Sequence, residues 1–317
     1  MSLRQAFVLG AGLGTRLRPL TEDLPKPLVP IFHRPLISYA FDHLTDFGAQ
    51  RLMVNTHHAS AQYRRFFPDA AHAGAKLAFR HEPLLLETGG GLRNIADWVE
   101  PETLLVYNGD VLTDLPLERA YQQHQASGYE VTLILRSSNG PLQISLPDGA
   151  DAISDIRGQM GDDTSPRFLF SGLYFVEPAF IQRIPAGEIV SVVATFHAML
   201  REKVPVGAVV EDRGQWHDLG TIERYHKVHR TLPFSEFPIQ APDRHIAASL
   251  HPKASVAADA QCRGTVVAGP GAVIESGAVV SDSILWPGAR VAAGVELQNV
   301  ILRENQVAKT NLVDAVQ

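Results

Sequence analysis

The sequence predicts an α/β fold, a mainly parallel sheet with helices on both faces, followed by a short parallel β-helix. Up to residue 230, apolar strand-like runs alternate with helix-like segments, which is typical of such a sheet. After residue 249, aliphatic residues recur at every sixth position, the hexapeptide pattern of a β-helix. We therefore predict a domain at 1–230, a linker at 231–249, and a β-helix domain with a C-terminal tail at 250–317.

The alternation rests on short apolar runs separated by longer amphipathic segments. The predicted strands are Ala6–Leu9, Arg51–Asn55, Lys76–Arg80, Leu104–Tyr107, Glu130–Leu135, Phe168–Val176 and Val206–Val210. The predicted helices are Pro35–Phe47, Ala59–Phe67, Gly91–Trp98, Leu117–Ser127 and Val192–Lys203. In sheets of this kind ligands bind beyond the carboxyl ends of the strands, so we look for the functional site there.

The linker prediction rests on Pro233, Pro238 and Pro242, which lie among polar residues. The hexapeptide pattern begins with Leu250, Val256 and Cys262. The next interval, from Cys262 to Val267, is one residue shorter. The six-residue spacing then resumes through Val273, Val279, Leu285, Val291 and Leu297. We expect these side chains to point inward and to stack on their equivalents in neighbouring coils, with about three coils in all. Ordinary short strands are the alternative.

Composition limits the possible classes of protein. The chain has 317 residues, 45% of them hydrophobic, and a formal net charge of −6. No basic stripe is present, so nucleic acid is not an expected partner. The single cysteine, Cys262, excludes an intramolecular disulfide framework and fits a reducing cytoplasm. No apolar run reaches the roughly 18 residues of a membrane span, so we expect no membrane partner.

The most informative segment spans residues 10–27 and follows the first predicted strand. Gly10, Gly12 and Gly14 stand at alternate positions, and Arg16 and Lys26 come just beyond them. Glycines permit a sharp turn and close approach, while consecutive N–H groups with fixed cations form an anion-binding concavity. We therefore predict a phosphate-binding loop. It is neither the dinucleotide fingerprint, whose third glycine is replaced by Thr15, nor a Walker loop.

Two aspartates lie in distant parts of the chain, Asp110 directly after a predicted buried strand and Asp218 in a turn-like setting. Asp110 ends the run Leu-Leu-Val-Tyr-Asn-Gly-Asp, and Asp218 stands in Gln-Trp-His-Asp-Leu-Gly-Thr. Taken singly, each fits a cap or a turn. If both reach one cleft, their oxygens suit Mg²⁺, which binds one or two carboxylates together with substrate phosphates.

The whole string resembles the signature G-x-G-T-R-x-x-P-x-T, then P-K-P, of the sugar-1-phosphate nucleotidyltransferases. Every fixed position is present, namely Gly12, Gly14, Thr15, Arg16, Pro19, Thr21, Pro25, Lys26 and Pro27. The resemblance extends through about residue 230. It implies a Rossmann-like sheet domain, and many such enzymes carry a left-handed β-helix at the C-terminus. It also implies that Asp110 and Asp218, which match the family's N/G-D and W-x-D-x-G-T motifs, bind Mg²⁺.

The resemblance implies a reaction in which a sugar 1-phosphate attacks the α-phosphorus of a nucleoside triphosphate and pyrophosphate leaves. Arg16, Lys26, Asp110 and Asp218 are the implied catalytic residues, with Arg16 on the β- and γ-phosphates and Lys26 on the α-phosphate or the sugar phosphate. The expected nucleotide-binding residues are Gly10, Ala11, Gly12, Leu13, Gly14, Thr15, Glu82, Gly89 and Gly90.

The segment Glu82-Pro-Leu-Leu-Leu-Glu-Thr-Gly-Gly-Gly91 is similar to the base-reading and sugar-reading region of the family. A loop that merely opens a helix is the alternative. Its Glu-Thr-Gly-Gly-Gly form looks like the N-acetylmuramate-1-phosphate uridylyltransferases, whereas the β-helix is a feature of the mannose-1-phosphate guanylyltransferases. Uridylyl transfer is slightly favoured, and guanylyl transfer stays open.

The resemblance also supplies candidate sugar-binding residues. They are Glu87, Thr88, Gly172, Glu177 and Arg157. Many members place a lysine in an E-K-P motif before the strand predicted here at Phe168–Val176, and that lysine is absent from this chain. Arg157 is a candidate substitute, and the second contact with the sugar phosphate stays open. An exposed strand-end glutamate without substrate contact is the alternative for Glu177.

Two other functions compete with this enzyme. A regulatory homologue that has lost catalysis is one, although all four implied catalytic residues are present. An acyltransferase is the other, since hexapeptide helices often host that activity, but His251 is the only histidine in the region. We expect the β-helix to be structural or to form a homo-oligomer contact.

Overall fold

The computed structural model describes residues 3–232 and 249–317. Its contacts divide the chain into two compact units. The first contains the chain up to Leu13 and residues Ile37–Asp218, and the second contains Gly14–Leu36 and the described part of Leu219–Gln317. The boundary that we place at residue 230 stays a prediction. Residues 233–248 of the predicted linker lie outside the described residues.

The strands before residue 219 are Gln5–Leu9 (β1), Pro30–Ile31 (β2), Arg34–Pro35 (β3), Arg51–Thr56 (β4), Ala71–His72 (β5), Ala75–His81 (β6), Leu104–Asn108 (β7), Val111–Thr113 (β8), Val131–Arg136 (β9), Ile144–Ser145 (β10), Asp155–Ile156 (β11), Arg167–Val176 (β12), Gly207–Val210 (β13) and Trp216–Asp218 (β14). The helices of the described chain are Leu36–Asp46 (α1), Ala61–Phe66 (α2), Glu87–Asn94 (α3), Glu118–Ser127 (α4), Pro178–Arg183 (α5), Val192–Arg201 (α6) and Ile222–Thr231 (α7). None of these helices has both the length and the apolar character needed to cross a membrane.

The main sheet has the strand order β11-β10-β12-β7-β1-β4-β6-β5, and β9 and β13 join beside β12. β1 lies between β4 and β7 and runs parallel to both, so that Leu9 faces Asn55 on one side and Asn108 on the other. The carboxyl ends of these strands therefore share one edge, which we call the carboxyl edge. β12 runs antiparallel to β7. This arrangement confirms the predicted mainly parallel α/β sheet.

Successive residues of β1 and β7 are buried, so these central strands are covered on both faces of the sheet. Phe7, Leu104, Val106, Tyr174 and Phe196 belong to one buried cluster. The predicted helix Gly91–Trp98 is shifted in the structure. It begins earlier, at Glu87, so the three glycines lie within α3 and do not precede it.

The C-terminal strands are Ser255–Val256 (β15), Gln261–Arg263 (β16), Val267–Ala268 (β17), Val273–Ile274 (β18), Val279–Ser281 (β19), Ile284–Leu285 (β20), Arg290–Val291 (β21), Glu296–Gln298 (β22), Ile301–Leu302 (β23), Val307–Ala308 (β24) and Leu312–Val313 (β25). They form three parallel sheets, in the orders β15-β18-β21-β24, β16-β19-β22-β25 and β17-β20-β23. Neighbouring strands within each sheet belong to successive coils. This arrangement fits the predicted β-helix.

The predicted phase of the hexapeptide pattern is wrong in one coil. The inward columns run Val256-Ile274-Val291-Ala308 and Ala268-Leu285-Leu302, and most of these side chains are buried together. The inward residues of the middle coil are therefore Ala268, Ile274 and Val280, one position after Val267, Val273 and Val279. The shorter interval lies before Leu285, not after Cys262. Each strand carries two adjacent apolar residues, so the spacing alone does not identify the inward one.

The outward column of the third sheet is also buried. Val267, Ile284 and Ile301 are each no more than 2% exposed. α7 bonds to this part of the β-helix, since Trp286 Nε1 donates to Tyr225 Oη (3.0 Å) and Arg230 Nη2 donates to Asn299 Oδ1 (2.6 Å). The β-helix, α7 and the segment 14–36 therefore pack as one unit.

His229 joins α7 to the hairpin β2–β3. Its Nε2 accepts from Phe32 N (3.0 Å) and its Nδ1 donates to Tyr225 O (2.8 Å). Burial lowers the pKa of His229 from 6.5 to about 3. A second proton would have to occupy Nε2 and would break the bond from Phe32, so the ring is neutral in the folded protein at neutral pH.

This neutral histidine predicts acid sensitivity of the second unit. The unfolded chain binds a proton near pH 6.5 and the folded chain only near pH 3, so stability that is present above pH 6.5 is lost as the pH falls through this window. The loss from this one group approaches ~1.4 kcal/mol per pH unit. His229→Gln keeps an acceptor for Phe32 but does not titrate. Thermal melting from pH 7.5 to 4.5 should therefore fall less steeply in this variant than in the wild type. Parallel profiles for His229→Gln and wild type would contradict the assignment.

Candidate active site

Gly10 begins the glycine loop where β1 ends, and packing explains why it is glycine. A Cβ at this position would lie 2.7 Å from Tyr63 Oη and 2.8 Å from Asn55 O, distances that real side chains do not tolerate. Tyr63 Oη also donates to Gly10 O (3.1 Å). Gly10 is therefore required by the protein's own structure, whatever ligand the loop binds.

A buried polar network fixes the start of the loop. Asn55 Oδ1 accepts from Gly10 N (2.8 Å) and Ala11 N (3.2 Å), while its Nδ2 donates to Glu82 Oε1 (2.8 Å). Glu82 Oε2 accepts from Leu86 N (3.1 Å). Both carboxylate oxygens of Glu82 are engaged and the residue is fully buried, so it supports the loop from within. We therefore remove Glu82 from the predicted nucleotide-contacting residues.

Close packing explains Gly10, but Gly14 and Gly12 need separate explanations. Gly14 has φ near +60°, a conformation that favours glycine, and its carbonyl accepts from Thr21 Oγ1 (2.8 Å). A Cβ at Gly12 would meet no described atom within 4 Å, and its φ is not in the left-handed region. Within the described chain, the N–H groups of Gly12 and Leu13 donate to no acceptor. Gly12 is thus the glycine of this loop that packing does not explain.

The glycine triplet of α3 is explained by close packing. A Cβ on Gly89 would lie 2.8 Å from Val190 O, and one on Gly90 would lie 2.5 Å from Glu188 O. A Cβ on Gly91 would lie 2.7 Å from Asn55 Nδ2 and 2.9 Å from Glu82 Oε1. The triplet lets the segment before α6 and the Asn55–Glu82 network approach the helix backbone. Contact of Gly89 and Gly90 with a nucleotide stays a prediction.

Glu87 and Thr88, two of the predicted sugar-binding residues, begin α3. Glu87 is exposed and has φ near +60°, which is uncommon for a residue with a side chain. Thr88 Oγ1 accepts from Val192 N (2.9 Å), the first residue of α6. Thr88 thus joins α3 to α6. Of these two predicted sugar-binding residues, only Glu87 is exposed.

The structure brings Asp110 and Asp218 to neighbouring positions. Asp110 follows β7 at the carboxyl edge, where Gly109 N donates to Leu9 O (3.0 Å). β8 and β14 form an antiparallel ribbon in which Asp218 faces Val111, the residue directly after Asp110. Residues that face each other in such a ribbon have Cα atoms ~5 Å apart. Both aspartates are half-buried. Their shared binding of a metal ion stays a prediction.

A clamp that the sequence analysis missed supports the strand carrying Asp218. Arg136, at the end of β9, is 3% exposed. Its Nη1 donates to Glu211 O and Arg213 O, and its Nη2 donates to Asp212 O and Gly214 O, all at 3.1–3.3 Å. Trp216 Nε1 then donates to Ser171 O (2.8 Å). The loop before β14 is thereby fixed to the main sheet. A strand-end arginine has no distinctive sequence signal for this role.

The remaining sugar-site candidates lie at different places on the sheet. Gly172 lies at the carboxyl edge, with φ near +84°, and a Cβ there would lie 2.7 Å from Asn108 Nδ2. Arg157 is exposed and follows β11, which extends the sheet beside the first part of β12 through β10. Its Nε donates to Gln143 Oε1 (2.9 Å).

The structure corrects the prediction that Glu177 binds the sugar. β12 runs antiparallel to β7, so Val176 faces Leu104 and Glu177 follows at the edge opposite Asp110. There its Oε1 accepts from Thr103 Oγ1 (2.5 Å) and pairs with His124 Nε2 (3.1 Å). The bond with His124 lowers the pKa of Glu177. The structure does not bring Glu177 to the site, and we remove it from the predicted sugar-binding residues.

Thr15, Arg16 and Lys26 belong to the second unit. Arg16 is exposed and occupies the centre of the 3₁₀ turn Thr15–Leu17, whose Leu17 is buried. Lys26 begins a second turn, Lys26–Leu28, between the buried residues Pro25 and Pro27. Both cations are therefore carried on short, tightly turned backbone anchored by apolar neighbours.

The close contacts of Gly91 predict an unusual response to substitution. Replacing glycine by alanine inside a helix normally adds up to ~1 kcal/mol of stability. Gly91→Ala should instead destabilise the protein by ~1–3 kcal/mol, because the new Cβ displaces the Asn55 and Glu82 side chains. Gly12→Ala, at a position with open space, is the matched control and should melt like the wild type. If Gly91→Ala melts at or above the wild-type temperature, the network does not constrain α3.

Comparisons with known proteins agree with this architecture. The profile of the family described as "Nucleotidyl transferase" matches residues 5–233. A mannose-1-phosphate guanylyltransferase of Mycobacterium tuberculosis is 30% identical over 297 residues, covering 92% of this chain and 82% of that protein. An N-acetylmuramate alpha-1-phosphate uridylyltransferase of Neisseria meningitidis is 29% identical over 224 residues, covering 69% of this chain and 94% of that protein.

Among solved structures, UDP-glucose pyrophosphorylase from Acinetobacter baumanii is similar in fold. Its TM-score is 0.63 at 18% identity, with 75% of this chain and 95% of that chain covered. The family match covers most of the chain. It agrees with the glycine loop at the carboxyl edge and with the neighbouring positions of Asp110, after β7, and Asp218, at the end of β14. This chain therefore belongs to the nucleotidyl transferase family.

Proposed function

We propose that this protein transfers a nucleoside monophosphate from a nucleoside triphosphate to a sugar 1-phosphate and releases pyrophosphate. The observation that carries the proposal is the loop at the end of β1. Packing explains Gly10 and backbone conformation explains Gly14, whereas Gly12 has open space around it and lies beside N–H groups without acceptors in the described chain. Such backbone suits the close approach of a phosphate chain.

The proposed reaction needs little covalent chemistry from the protein. An oxygen of the sugar 1-phosphate attacks the α-phosphorus, and the bond from that phosphorus to the oxygen bridging to the β-phosphate breaks. The attacking phosphate is already ionised, so no general base is required. Both reactants are polyanions that repel each other, and the protein's task is to align them and to offset their charge.

Each charged residue has a proposed task in that alignment. Arg16 binds the β- and γ-phosphates and the departing pyrophosphate, and Lys26 contacts the α-phosphate or the sugar phosphate. Gly172 and Arg157, which lie on the carboxyl-edge side of the sheet, remain the candidates for the sugar and its phosphate, together with Glu87. Electrostatic contacts of this kind act mainly by holding charge in place before the reaction begins.

The donor set at the carboxyl edge fits Mg²⁺. Asp110 and Asp218 are half-buried carboxylates on adjoining strands, and hard divalent cations prefer oxygen ligands. No cluster of three or more histidine, cysteine or acidic residues with metal-binding geometry occurs among the described residues, so a two-carboxylate site is the one we propose. When bound, the ion would neutralise phosphate charge in the transition state.

The nucleotide is proposed as UTP first and GTP second. The Glu-Thr-Gly-Gly-Gly form of residues 87–91 favours uridylyl transfer, and the N-acetylmuramate alpha-1-phosphate uridylyltransferase relative is consistent with it. The guanylyl alternative has an observation of its own, since the mannose-1-phosphate guanylyltransferase relative matches 92% of this chain. A cytoplasmic location and a homo-oligomer formed through the β-helix stay predictions from the sequence.

A substrate matrix tests the proposed reaction. Purified protein with Mg²⁺ is offered each nucleoside triphosphate with each of several sugar 1-phosphates, and pyrophosphate release is measured. We expect release with a sugar 1-phosphate and UTP, or else GTP. Absence of release with every pair would support the catalytically silent alternative.

The two aspartates give a second test. Asp110→Asn and Asp218→Asn preserve shape but remove charge, and each should lower kcat about 100-fold or more while shifting the Mg²⁺ requirement upward. Asp148→Asn, in an exposed loop, is the charge-matched control and should leave both unchanged. Full turnover in Asp110→Asn would refute its assignment as a metal ligand.

Gly12→Ala separates substrate binding from stability. Because the position has room for a Cβ within the protein, folding should be unaffected, whereas a methyl group should block the approach of the phosphates. We expect KM for the nucleoside triphosphate to rise about tenfold or more, a cost of ~1.4 kcal/mol in binding, with an unchanged melting temperature. Wild-type kinetics in this variant would mean that the phosphates lie elsewhere.

A further inference from the structure

We propose that the β-helix positions the cations of the segment 14–36, with Arg303 as the residue that positions Arg16. This inference rests on the proposed function, in which Arg16 and Lys26 bind phosphate. It gives the C-terminal domain a role in substrate binding beyond the structural or oligomer-forming role predicted from the hexapeptide pattern.

Arg303 connects the β-helix directly to the segment. It follows β23, and its Nη1 donates to Pro19 O (3.0 Å) and to Glu22 Oε2 (3.0 Å). Its side chain is only 26% exposed. A guanidinium that bonds a main-chain carbonyl and a carboxylate together restrains backbone position, which a lone surface ion pair does not.

The restraint reaches Arg16 through continuous turns. Leu17 N donates to Gly14 O (2.9 Å), Leu20 N donates to Leu17 O (2.9 Å), and Glu22 N donates to Pro19 O (3.2 Å). Leu17 and Leu20 are buried at 1% exposure. Residues 14–22 therefore form one compact set of turns. Arg303 bonds to this set at Pro19, which lies three residues after Arg16 in the sequence.

A second connection reaches the part of the segment that carries Lys26. Trp286 Nε1, in the β-helix, donates to Tyr225 Oη (3.0 Å), and Tyr225 Oη donates to Pro30 O (2.6 Å). Val29 N, just before Pro30, donates to Lys26 O (3.1 Å). Both cations of the segment thus lie a few residues from a carbonyl that the β-helix or α7 holds.

Limited trypsin digestion of the full chain tests the positioning without relying on activity. Arg16 is exposed, and cleavage after it requires the turns of residues 14–22 to open. Arg303→Ala should accelerate this cleavage about tenfold, and Arg303→Lys, which keeps one charged donor, should recover part of the protection. Arg290→Ala is the matched control, because Arg290 pairs with Glu275 inside the β-helix and does not touch the segment. Cleavage in Arg303→Ala at the rate of wild type and Arg290→Ala would overturn the proposal.

Kinetics then test the consequence for substrate. In Arg303→Ala, KM for the nucleoside triphosphate should rise about tenfold, while KM for the sugar 1-phosphate and the melting temperature should follow Arg290→Ala. Faster cleavage with an unchanged KM for the triphosphate would overturn the link to substrate binding. If the wild type transfers no nucleotide with any pair, the proposed function fails, yet the digestion still decides whether Arg303 holds the segment.

Discussion

The side-chain amide of Asn55 uses both its oxygen and its nitrogen inside the protein, and the glycine loop, β4 and α3 depend on it. Its oxygen accepts hydrogen bonds from the N–H groups of Gly10 and Ala11, and its nitrogen donates one to the buried carboxylate of Glu82. A buried amide or carboxylate that lost these partners would bear a desolvation cost of ~1–3 kcal/mol for each group. The loop therefore cannot leave the end of β1 without exposing or orphaning several polar groups at once. Its first two N–H groups serve the fold, and only those after them are left for a ligand.

The carboxyl edge follows from the parallel order of β4, β1 and β7. Parallel pairing brings Leu9, Asn55 and Asn108 level, so the loops that follow β1 and β7 begin side by side. The ribbon β8–β14 then adds Asp218 beside the residue after Asp110. Strands of three residues are marginal on their own. The four carbonyl bonds of Arg136 and the indole bond of Trp216 supply the constraint that the short ribbon lacks.

The sequence predicted what depends on periodicity and on contiguous motifs. The parallel strands, the hexapeptide coils and the family all come from such signals, and the structure and the comparisons agree with them. The errors arise where a residue's role depends on partners far away in the chain. From the sequence, Glu82 is predicted to contact the nucleotide, but in the structure its carboxylate is bonded to Asn55. Glu177 is predicted to contact the sugar, but β12 runs antiparallel to β7 and carries Glu177 to the opposite edge of the sheet. Arg136 and Arg303 carry no local signal, because backbone carbonyls, which have no sequence identity, are their main partners.

The glycine-rich signature of residues 10–27 is continuous in the sequence, but different parts of the protein stabilise its two ends. Gly10 and Ala11 are held by Asn55, whereas Gly14 onward packs with α7 and the β-helix. In this chain the same segment carries Glu22, whose carboxylate shares Arg303 with the carbonyl of Pro19. The backbone that carries Arg16 is therefore bonded to the coils of the β-helix, and on the proposed function a change in those coils would alter the position of a cation that binds the triphosphate.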